Sequence, residues 1–294
     1  MAAQLIYLLV VLIWATTPLA IKLGGESFSP MAGLTLRIGL AFIVGSAICT
    51  IGGYATLNIR KHGKLYFAAA VSLFPNMALV YVAAEHISSG LIALMFGLSP
   101  FSSALLSGLI LGESALQPRK LLAIFLASIG LLLILFEGGG VESSSAYGIG
   151  LMLASNFLFA GSALWVKRLN RTLAVAPVEQ ALGSMVFALP GLLISWFFIF
   201  GFEVAEVSTV SLVSLIYLGL VGSLGGLVAY YYILNQFSAE AVSLVPLVTP
   251  ILAMLLGVLI ADETISLAMM SGAALILVAL VIHQRLWRVF VSKE

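Results

Sequence analysis

Hydrophobic positions in this chain form long stretches, and polar connections of at most about ten residues separate them. An apolar stretch of about 20 residues is long enough to cross a bilayer as an α-helix. Stretches of this kind occur ten times and predict ten transmembrane helices. They lie at 4–21, 30–51, 65–84, 89–111, 121–136, 147–166, 178–200, 210–234, 241–261 and 266–283.

One segment of the chain is repeated. The segment from Ser88 to Glu113 returns from Ser238 to Glu263, and in both copies the proline follows the serine by 12 residues and the glutamate follows the proline by 13. The chain is therefore predicted to contain two copies of one unit. Each copy holds five apolar stretches, and an odd number gives the copies opposite orientations.

The fold class predicted from these patterns is an all-α integral membrane protein whose ten transmembrane helices form two inverted five-helix repeats. The first repeat covers residues 1–137, a Gly- and Ser-rich linker covers 138–145, and the second repeat with a short tail covers 146–294. In such proteins the substrate site is expected near the midplane, between the repeats.

Composition agrees with a membrane protein. Hydrophobic residues make up 62% of the chain and charged residues 9%, against about 25% charged residues in a soluble domain. Mean hydropathy is +1.19. The first stretch lacks the features of a removable signal peptide, and the single cysteine, Cys49, allows no intrachain disulfide. No run of basic residues is long enough to follow the backbone of a nucleic acid. The phosphate-binding motif G-x-x-x-x-G-K-[ST] is absent from the sequence, so ATP hydrolysis is not expected.

The basic residues predict the orientation. With ten spans and both termini in the cytoplasm, the inner side holds eleven of the 13 Lys and Arg residues, the outer side holds only Lys22, and Arg37 lies within a span. The inner residues are Arg60, Lys61, Lys64, Arg119, Lys120, Lys167, Arg168, Arg171, Arg285, Arg288 and Lys293.

Three motifs of the chain are Trp14-Ala15-x6-Lys22, Tyr81-x6-Ser88 … Pro100 … Gly112-Glu113 and Tyr231-x6-Ser238 … Pro250 … Asp262-Glu263. These motifs resemble the EamA-type members of the drug/metabolite transporter superfamily over nearly the whole chain. Asp262 departs from the pattern, because glycine is usual there. The resemblance implies ten helices, a central cavity and transport of small metabolites, with amino acids frequent among exported compounds in bacteria.

Aromatic and polar side chains within the spans are candidate cavity residues. Trp14 and Thr17 lie on span 1, and Tyr230 lies one turn beyond Gly226 on span 8. A position in the packed core is equally expected for Trp14. The repeat counterpart of Trp14 is Phe159.

Asparagines in the spans need hydrogen-bond partners in lipid. Asn76 follows Pro75 on span 3, and Asn156 lies at similar depth on span 6. Each is expected either to contact substrate or to clamp two helices together.

Span 4 carries a patch that includes Phe96, Ser99 and Pro100. Proline bends a helix and frees a carbonyl, so Pro100 and its counterpart Pro250 are predicted hinges. Phe96 and Ser99 are predicted to line the cavity.

Arg37 is the basic residue expected inside the bilayer, where it should face protein or water. It could bind a carboxylate or phosphate of the substrate, or pair structurally with backbone carbonyls or with Glu179. Lys22 and Lys167 are expected at opposite membrane faces, either as gating residues or as solvated helix ends.

The predicted function is that of a non-enzymatic secondary transporter of the bacterial inner membrane that exports small metabolites such as amino acids. Alternatives are an uncoupled facilitator or antiporter for a nucleoside, sugar phosphate or drug-like solute, and a lipid-modifying enzyme. Candidate titrating groups are Glu85, His86 and Glu179. No cofactor, metal site or nucleic acid partner is expected. The expected partners are a small-molecule substrate and the lipid bilayer. The small residues of span 10 are expected to pack either on span 5 or on a second copy of the chain in a homodimer.

Overall fold

The computed structural model describes residues 2–53, 57–111, 118–135, 143–173, 175–200, 206–236, 245–261 and 265–284. Within these ranges the regular structure is helical, and no strand occurs. The α-helices are α1 (Ala2–Gly24), α2 (Pro30–Ile51), α3 (Ile59–Ala70), α4 (Asn76–Ala83), α5 (Ser89–Phe96), α6 (Ser99–Leu111), α7 (Pro118–Leu135), α8 (Ser143–Asn170), α9 (Pro177–Ser195), α10 (Thr209–Tyr217), α11 (Gly226–Gln236), α12 (Val245–Ala261) and α13 (Leu267–Gln284). Two π-helical segments are π1 (Trp196–Phe200) and π2 (Leu218–Gly225).

Helices long and apolar enough to cross a membrane number six in the described ranges. Large apolar side chains also point outward, as at Ile43, Phe125 and Phe198, which are 67%, 63% and 74% exposed. A soluble monomer rarely exposes so much apolar surface. The chain is therefore a membrane protein whose described regular structure is helical. The six segments are Gln4–Gly24, Pro30–Ile51, Ser89–Ser107, Ser145–Asn170, Pro177–Ile199 and Thr209–Ile233, and shorter apolar ones are Leu121–Ile134, Thr249–Ile260 and Leu267–Ile282.

The stretch predicted as one span at 65–84 is two helices. α3 starts earlier, at Ile59, where the side chain of Asn58 accepts a hydrogen bond from the Lys61 N–H. It ends at Ala70, and residues 71–75 form turns before α4 begins. Pro75 has no N–H with which to continue the helical ladder, and its bond to Phe74 is cis.

The stretch predicted as one span at 89–111 is also interrupted. Residues 97–98 form a turn between α5 and α6. Pro100 therefore lies in the first turn of α6, where its missing N–H removes no helical hydrogen bond. Its repeat counterpart Pro250 lies inside the continuous helix α12. The two prolines thus occupy different local structures although their sequence positions correspond.

Within the predicted eighth span, π2 lies between α10 and α11 and contains Gly219, Gly222 and Ser223. A Cβ added at Gly219 would lie 2.9 Å from Leu40 Cδ2 and 3.2 Å from the carbonyl oxygen of Arg37. Glycine therefore allows α2 of the first half to pack closely against π2 of the second half. Hydropathy does not distinguish a π-helical segment from an α-helix, so the sequence did not predict this local widening.

The helices of the two halves pack on one another rather than as separate domains. α1 packs on α10, α11 and α12, α2 on α9 and π2, α3 on α9, and α4 and α6 on α8. Helix α8 begins at Ser143, inside the predicted linker 138–145, and residues 138–142 lie outside the described ranges. The N-terminal and C-terminal segments thus share one extended interface.

The last helices of the two halves, α7 and α13, pack against each other at Gly130 and Gly272. A Cβ added at Gly130 would lie 2.6 Å from the Gly272 carbonyl oxygen, and a Cβ added at Gly272 would lie 2.5 Å from the Gly130 carbonyl oxygen. The small residues of the predicted span 10 are therefore used within the chain against span 5. They supply no separate argument for a homodimer.

Candidate functional site

Trp14 of α1, Phe159 of α8 and Tyr230 of α11 form an aromatic cluster between the halves. The ring centroid of Trp14 lies 5.0 Å from that of Tyr230 and 6.1 Å from that of Phe159, and Phe159 lies 6.3 Å from Tyr230. Trp14 and Phe159 are half-buried, and Tyr230 is buried. Tilted and edge-on ring pairs of this kind are favourable. The structure thus brings the predicted residues Trp14 and Tyr230 together with the repeat counterpart of Trp14.

Arg37 of α2 lies between the halves with only 6% of its surface exposed. Its Nε donates to Ser223 Oγ of π2 at 2.6 Å, and its Nη1 donates to the Tyr81 hydroxyl of α4 at 3.3 Å. No described carboxylate forms an ion pair with it. A Cβ added at Gly222 would lie 3.3 Å from Nη2, so glycine leaves room for the guanidinium. Hydroxyl partners orient this cation without neutralising it, so it can attract an anion.

A pocket of about 270 Å³ opens at the predicted outer end of the bundle, between α1, α2, α4 and α10. Its lining includes Lys22, half-buried, and the exposed Glu26 and Glu85. Lys22 Nζ donates to the carbonyl oxygen of Ile87 at 3.3 Å. The buried Tyr81 also lines this pocket, and the same Tyr81 accepts a hydrogen bond from Arg37. The outer pocket therefore reaches to within one side chain of the buried guanidinium.

The predicted inner end holds a cluster of His62 and Tyr66 of α3 with Glu179 of α9, here called the inner cluster. His62 Nδ1 lies 2.7 Å from Glu179 Oε1, and the Tyr66 hydroxyl donates to the same oxygen. That hydroxyl also accepts from the N–H of Asn58 at 3.2 Å. His62, Tyr66 and Glu179 are all buried. Because α3 belongs to the first half and α9 to the second, the inner cluster joins the halves at the end opposite the outer pocket.

The prediction that Glu179 could pair with Arg37 is wrong. Glu179 is bound by His62 and Tyr66, and Arg37 by Ser223 and Tyr81. Tyr81, which binds Arg37, is itself buried, with 6% of its surface exposed.

The two predicted asparagines clamp helices together. Asn76 Oδ1 of α4 accepts from Ser155 Oγ of α8 at 2.7 Å, and Asn156 Nδ2 donates to the carbonyl oxygen of Met95 in α5 at 2.6 Å. Both asparagines are fully buried. Asn156 Oδ1 has no partner among the described residues. Of the two predicted roles, these contacts support the helix clamp.

Other predicted residues have simpler surroundings. Thr17 Oγ1 donates to the Ile13 carbonyl oxygen of its own helix at 2.6 Å, and Phe96 packs against the main apolar core. Ser99 is buried at the start of α6. Lys167 is exposed near the end of α8, as a solvated helix end would be.

Several side-chain partners were not predictable from the sequence. Thr16 Oγ1 lies 2.5 Å from the Tyr217 hydroxyl, and His62 meets Glu179 across 117 positions of sequence. No spacing rule connects residues so far apart. The only local signal was Glu179 itself, an acidic residue in the first turn of an apolar helix.

Comparison with known proteins identifies the family. The EamA-like transporter family matches residues 1–136 and 146–283. An "Uncharacterized transporter" of Archaeoglobus fulgidus is 24% identical over 97% of this chain and 99% of its own length. "Uncharacterized inner membrane transporter YedA" of Escherichia coli K12 is 25% identical over 87% of this chain and 81% of its own. "Protein PagO" of Salmonella typhimurium is 25% identical over 95% of this chain and 90% of its own length.

A solved structure described as "Crystal structure of protein" superimposes with a TM-score of 0.67 and 20% identity, over 99% of both chains. At this identity the similarity establishes the fold alone. The family match covers most of the chain and leaves out only the region between its two copies and the C-terminal residues. The chain therefore belongs to the EamA-like transporter family and is a non-enzymatic membrane transporter.

Proposed function

We propose that the protein is a secondary transporter that exports small metabolites such as amino acids by alternating access. The observation that carries this proposal is the outer pocket, which lies between the halves and is lined by Tyr81, the hydrogen-bond partner of the buried Arg37. Substrate sites of such transporters lie between structural repeats. A cavity that leads to a buried, unneutralised cation is suited to a solute with an anionic group.

Ten membrane helices in two inverted repeats provide the architecture that this mechanism needs. We count α3 with α4, and α5 with α6, as one crossing each. The charge distribution supports cytoplasmic termini, because eleven basic residues then lie inside. YedA is named an inner membrane transporter, which supports the same location for this chain.

Arg37 binds the substrate carboxylate in this proposal, and Tyr81 and Ser223 hold the guanidinium in position. Trp14, Phe159 and Tyr230 contact the apolar part of the substrate further along the path. On π2 and α11, Ser223 and Tyr230 are seven residues apart, which at 1.5 Å per residue is about 10 Å. This separation suits a small amphipathic solute such as an amino acid with an apolar side chain.

The remaining predicted residues have supporting roles. Asn76 and Asn156 hold the cavity walls together through their interhelical bonds. Thr17, Phe96 and Ser99 contribute to those walls. Pro100 follows a turn and serves as a hinge, Pro250 does so within a continuous helix, and Lys22 and Lys167 act at the outer and inner openings.

An outward-open state fits this arrangement. The outer pocket is open, whereas the inner cluster joins α3 and α9 across the halves. In the alternating-access cycle, the inner cluster must separate when the cavity opens to the cytoplasm.

Transport by the purified protein in proteoliposomes tests the proposal. Vesicles loaded with unlabelled amino acids should accumulate the matching radiolabelled amino acid by exchange. Arg37→Gln and Trp14→Ala should lower the initial rate by about tenfold or more, because each removes a proposed substrate contact. Phe125→Leu is the matched control, since Phe125 is 63% exposed on α7 and should leave the rate unchanged. Absence of exchange across amino acids, nucleosides and sugar phosphates would overturn the proposal.

A second candidate is an antiporter or facilitator for a phosphorylated solute, because Arg37 can bind phosphate as well as carboxylate. The same vesicles distinguish the two candidates. Exchange of a sugar phosphate without exchange of any amino acid would favour the second.

A further inference from the structure

A second cavity lies on the surface between α3 and α8, away from the outer pocket. Its volume is about 660 Å³, and it is lined by Gly63, Lys64, Phe67, Trp165, Arg168 and Leu169. Lys64 and Arg168 are exposed, and none of the described residues that line the groove is acidic. This surface, here called the basic groove, therefore carries two positive charges on its described lining residues.

Two aromatic rings adjoin the cations in the basic groove. Phe67 and Trp165 are 51% and 39% exposed, and their rings meet edge to face at a centroid distance of 5.9 Å. Tryptophan is enriched at the level of lipid headgroups, where one side of the ring is apolar and the other is wet. The groove thus combines the two side-chain chemistries of a membrane interface.

An apolar path continues from the basic groove along α8. Leu153, Phe157, Gly161 and Trp165 follow one another at intervals of four residues, so they lie on one face of the helix. Leu153 and Phe157 are 36% and 44% exposed. This stripe runs from the cationic end of α8 toward its middle, as a lipid acyl chain would.

We propose that the basic groove binds the headgroup phosphate of an anionic phospholipid, with Lys64 and Arg168 as its ligands and an acyl chain on the α8 stripe. Arg168 Nη1 already donates to the carbonyl oxygen of Ile110 at 3.2 Å, which orients the guanidinium at the groove. Charge complementarity and the adjoining apolar stripe select a lipid over a soluble phosphate, which would not use the stripe. The proposal requires the membrane location but not the transported substrate.

Lipid-dependent stability of the full-length protein tests this. The protein is reconstituted in bilayers of phosphatidylcholine alone or of phosphatidylcholine with phosphatidylglycerol, and its unfolding temperature is measured in each. Phosphatidylglycerol should raise the unfolding temperature, because a ligand that binds the folded state stabilises it. The double variant Lys64→Gln/Arg168→Gln should lose most of this increase. Each cation contributes about 1 kcal/mol to the binding free energy at a membrane surface. Loss of both cations should therefore make phosphatidylglycerol bind the double variant about thirtyfold more weakly than the parent.

The double variant Arg60→Gln/Arg171→Gln is the matched control. It removes the same number of charges from exposed residues at the same end of α3 and α8, outside the groove lining. It should keep the increase with phosphatidylglycerol, and the increase of each variant is measured against the same variant in phosphatidylcholine alone. Equal loss in both variants would show a general surface-charge effect and overturn the site. An equal increase with inorganic phosphate in phosphatidylcholine bilayers would overturn the lipid assignment.

Discussion

Buried ionisable residues in this protein are held in two contrasting ways. Glu179 is matched by His62 and by the Tyr66 hydroxyl, whereas Arg37 is bonded by two hydroxyls and has no described carboxylate partner. A buried charge is costly unless it is paired or hydrogen-bonded. The matched carboxylate is therefore a structural contact, and the unmatched guanidinium is the one suited to bind a ligand.

Replacement of Glu179 should reveal this structural contribution. Glu179→Ala leaves His62 and Tyr66 buried without their acceptor and should lower the free energy of unfolding by about 1–3 kcal/mol. Glu179→Gln keeps an acceptor oxygen and should cost less. Denaturant unfolding in detergent measures both.

The control for this series is Glu85→Gln, because Glu85 is exposed and no ion pair is formed by it in the described residues. It should unfold like the parent. An alanine variant of Glu179 as stable as the parent would contradict the assigned role of the inner cluster.

At the scale of helices, apolar stretches were predictable because burial in lipid demands a run of apolar residues of fixed length. Hydropathy is insensitive to the hydrogen-bond pattern of the backbone. It therefore could not predict the turns at residues 71–75 and 97–98 or the π-helical segments. In the site, Trp14 and Tyr230 were predictable as aromatic residues within apolar helices. The pairing of His62 with Glu179 was not, because it depends on how two distant helices pack.

The crossing of α7 and α13 gives a prediction about helix packing. Gly130→Ala would place a Cβ 2.6 Å from the Gly272 carbonyl oxygen, and a backbone atom cannot move aside as a side chain can. We expect the substitution to separate the helices and to destabilise the protein by about 1–3 kcal/mol. The unfolding temperature in detergent measures this.

Gly150→Ala on α8 is the matched substitution, because a Cβ there meets nothing within 4 Å. It should leave the unfolding temperature equal to or slightly above that of the parent, since alanine favours a helix over glycine. Equal effects of the two substitutions would contradict the close crossing.

At the scale of the whole molecule, the outer pocket is open, and at the inner end the inner cluster joins α3 of the first half to α9 of the second. In the proposed cycle these two features exchange, so a change that weakens the inner cluster should also close the outer pocket. The two ends should therefore respond in opposite directions to one substitution.

Thiol labelling measures this exchange. In a Cys49→Ala background, a cysteine at Leu215 in the outer pocket and one at the buried Gln180 are each combined with Glu179→Gln. Glu179→Gln should slow labelling at position 215 and accelerate it at position 180. Faster labelling at both positions would indicate partial unfolding instead and would contradict the exchange.

The main-chain contact between Gly130 and Gly272 has a mechanical consequence. It joins the last helix of one half to the last helix of the other, and within the described ranges α7 and α13 pack mainly on each other. A rigid rotation of one half about this contact leaves the contact in place and moves other atoms in proportion to their distance from it. In the proposed cycle the pair would then act as a pivot, and a small angle there would become a large displacement at the far helices.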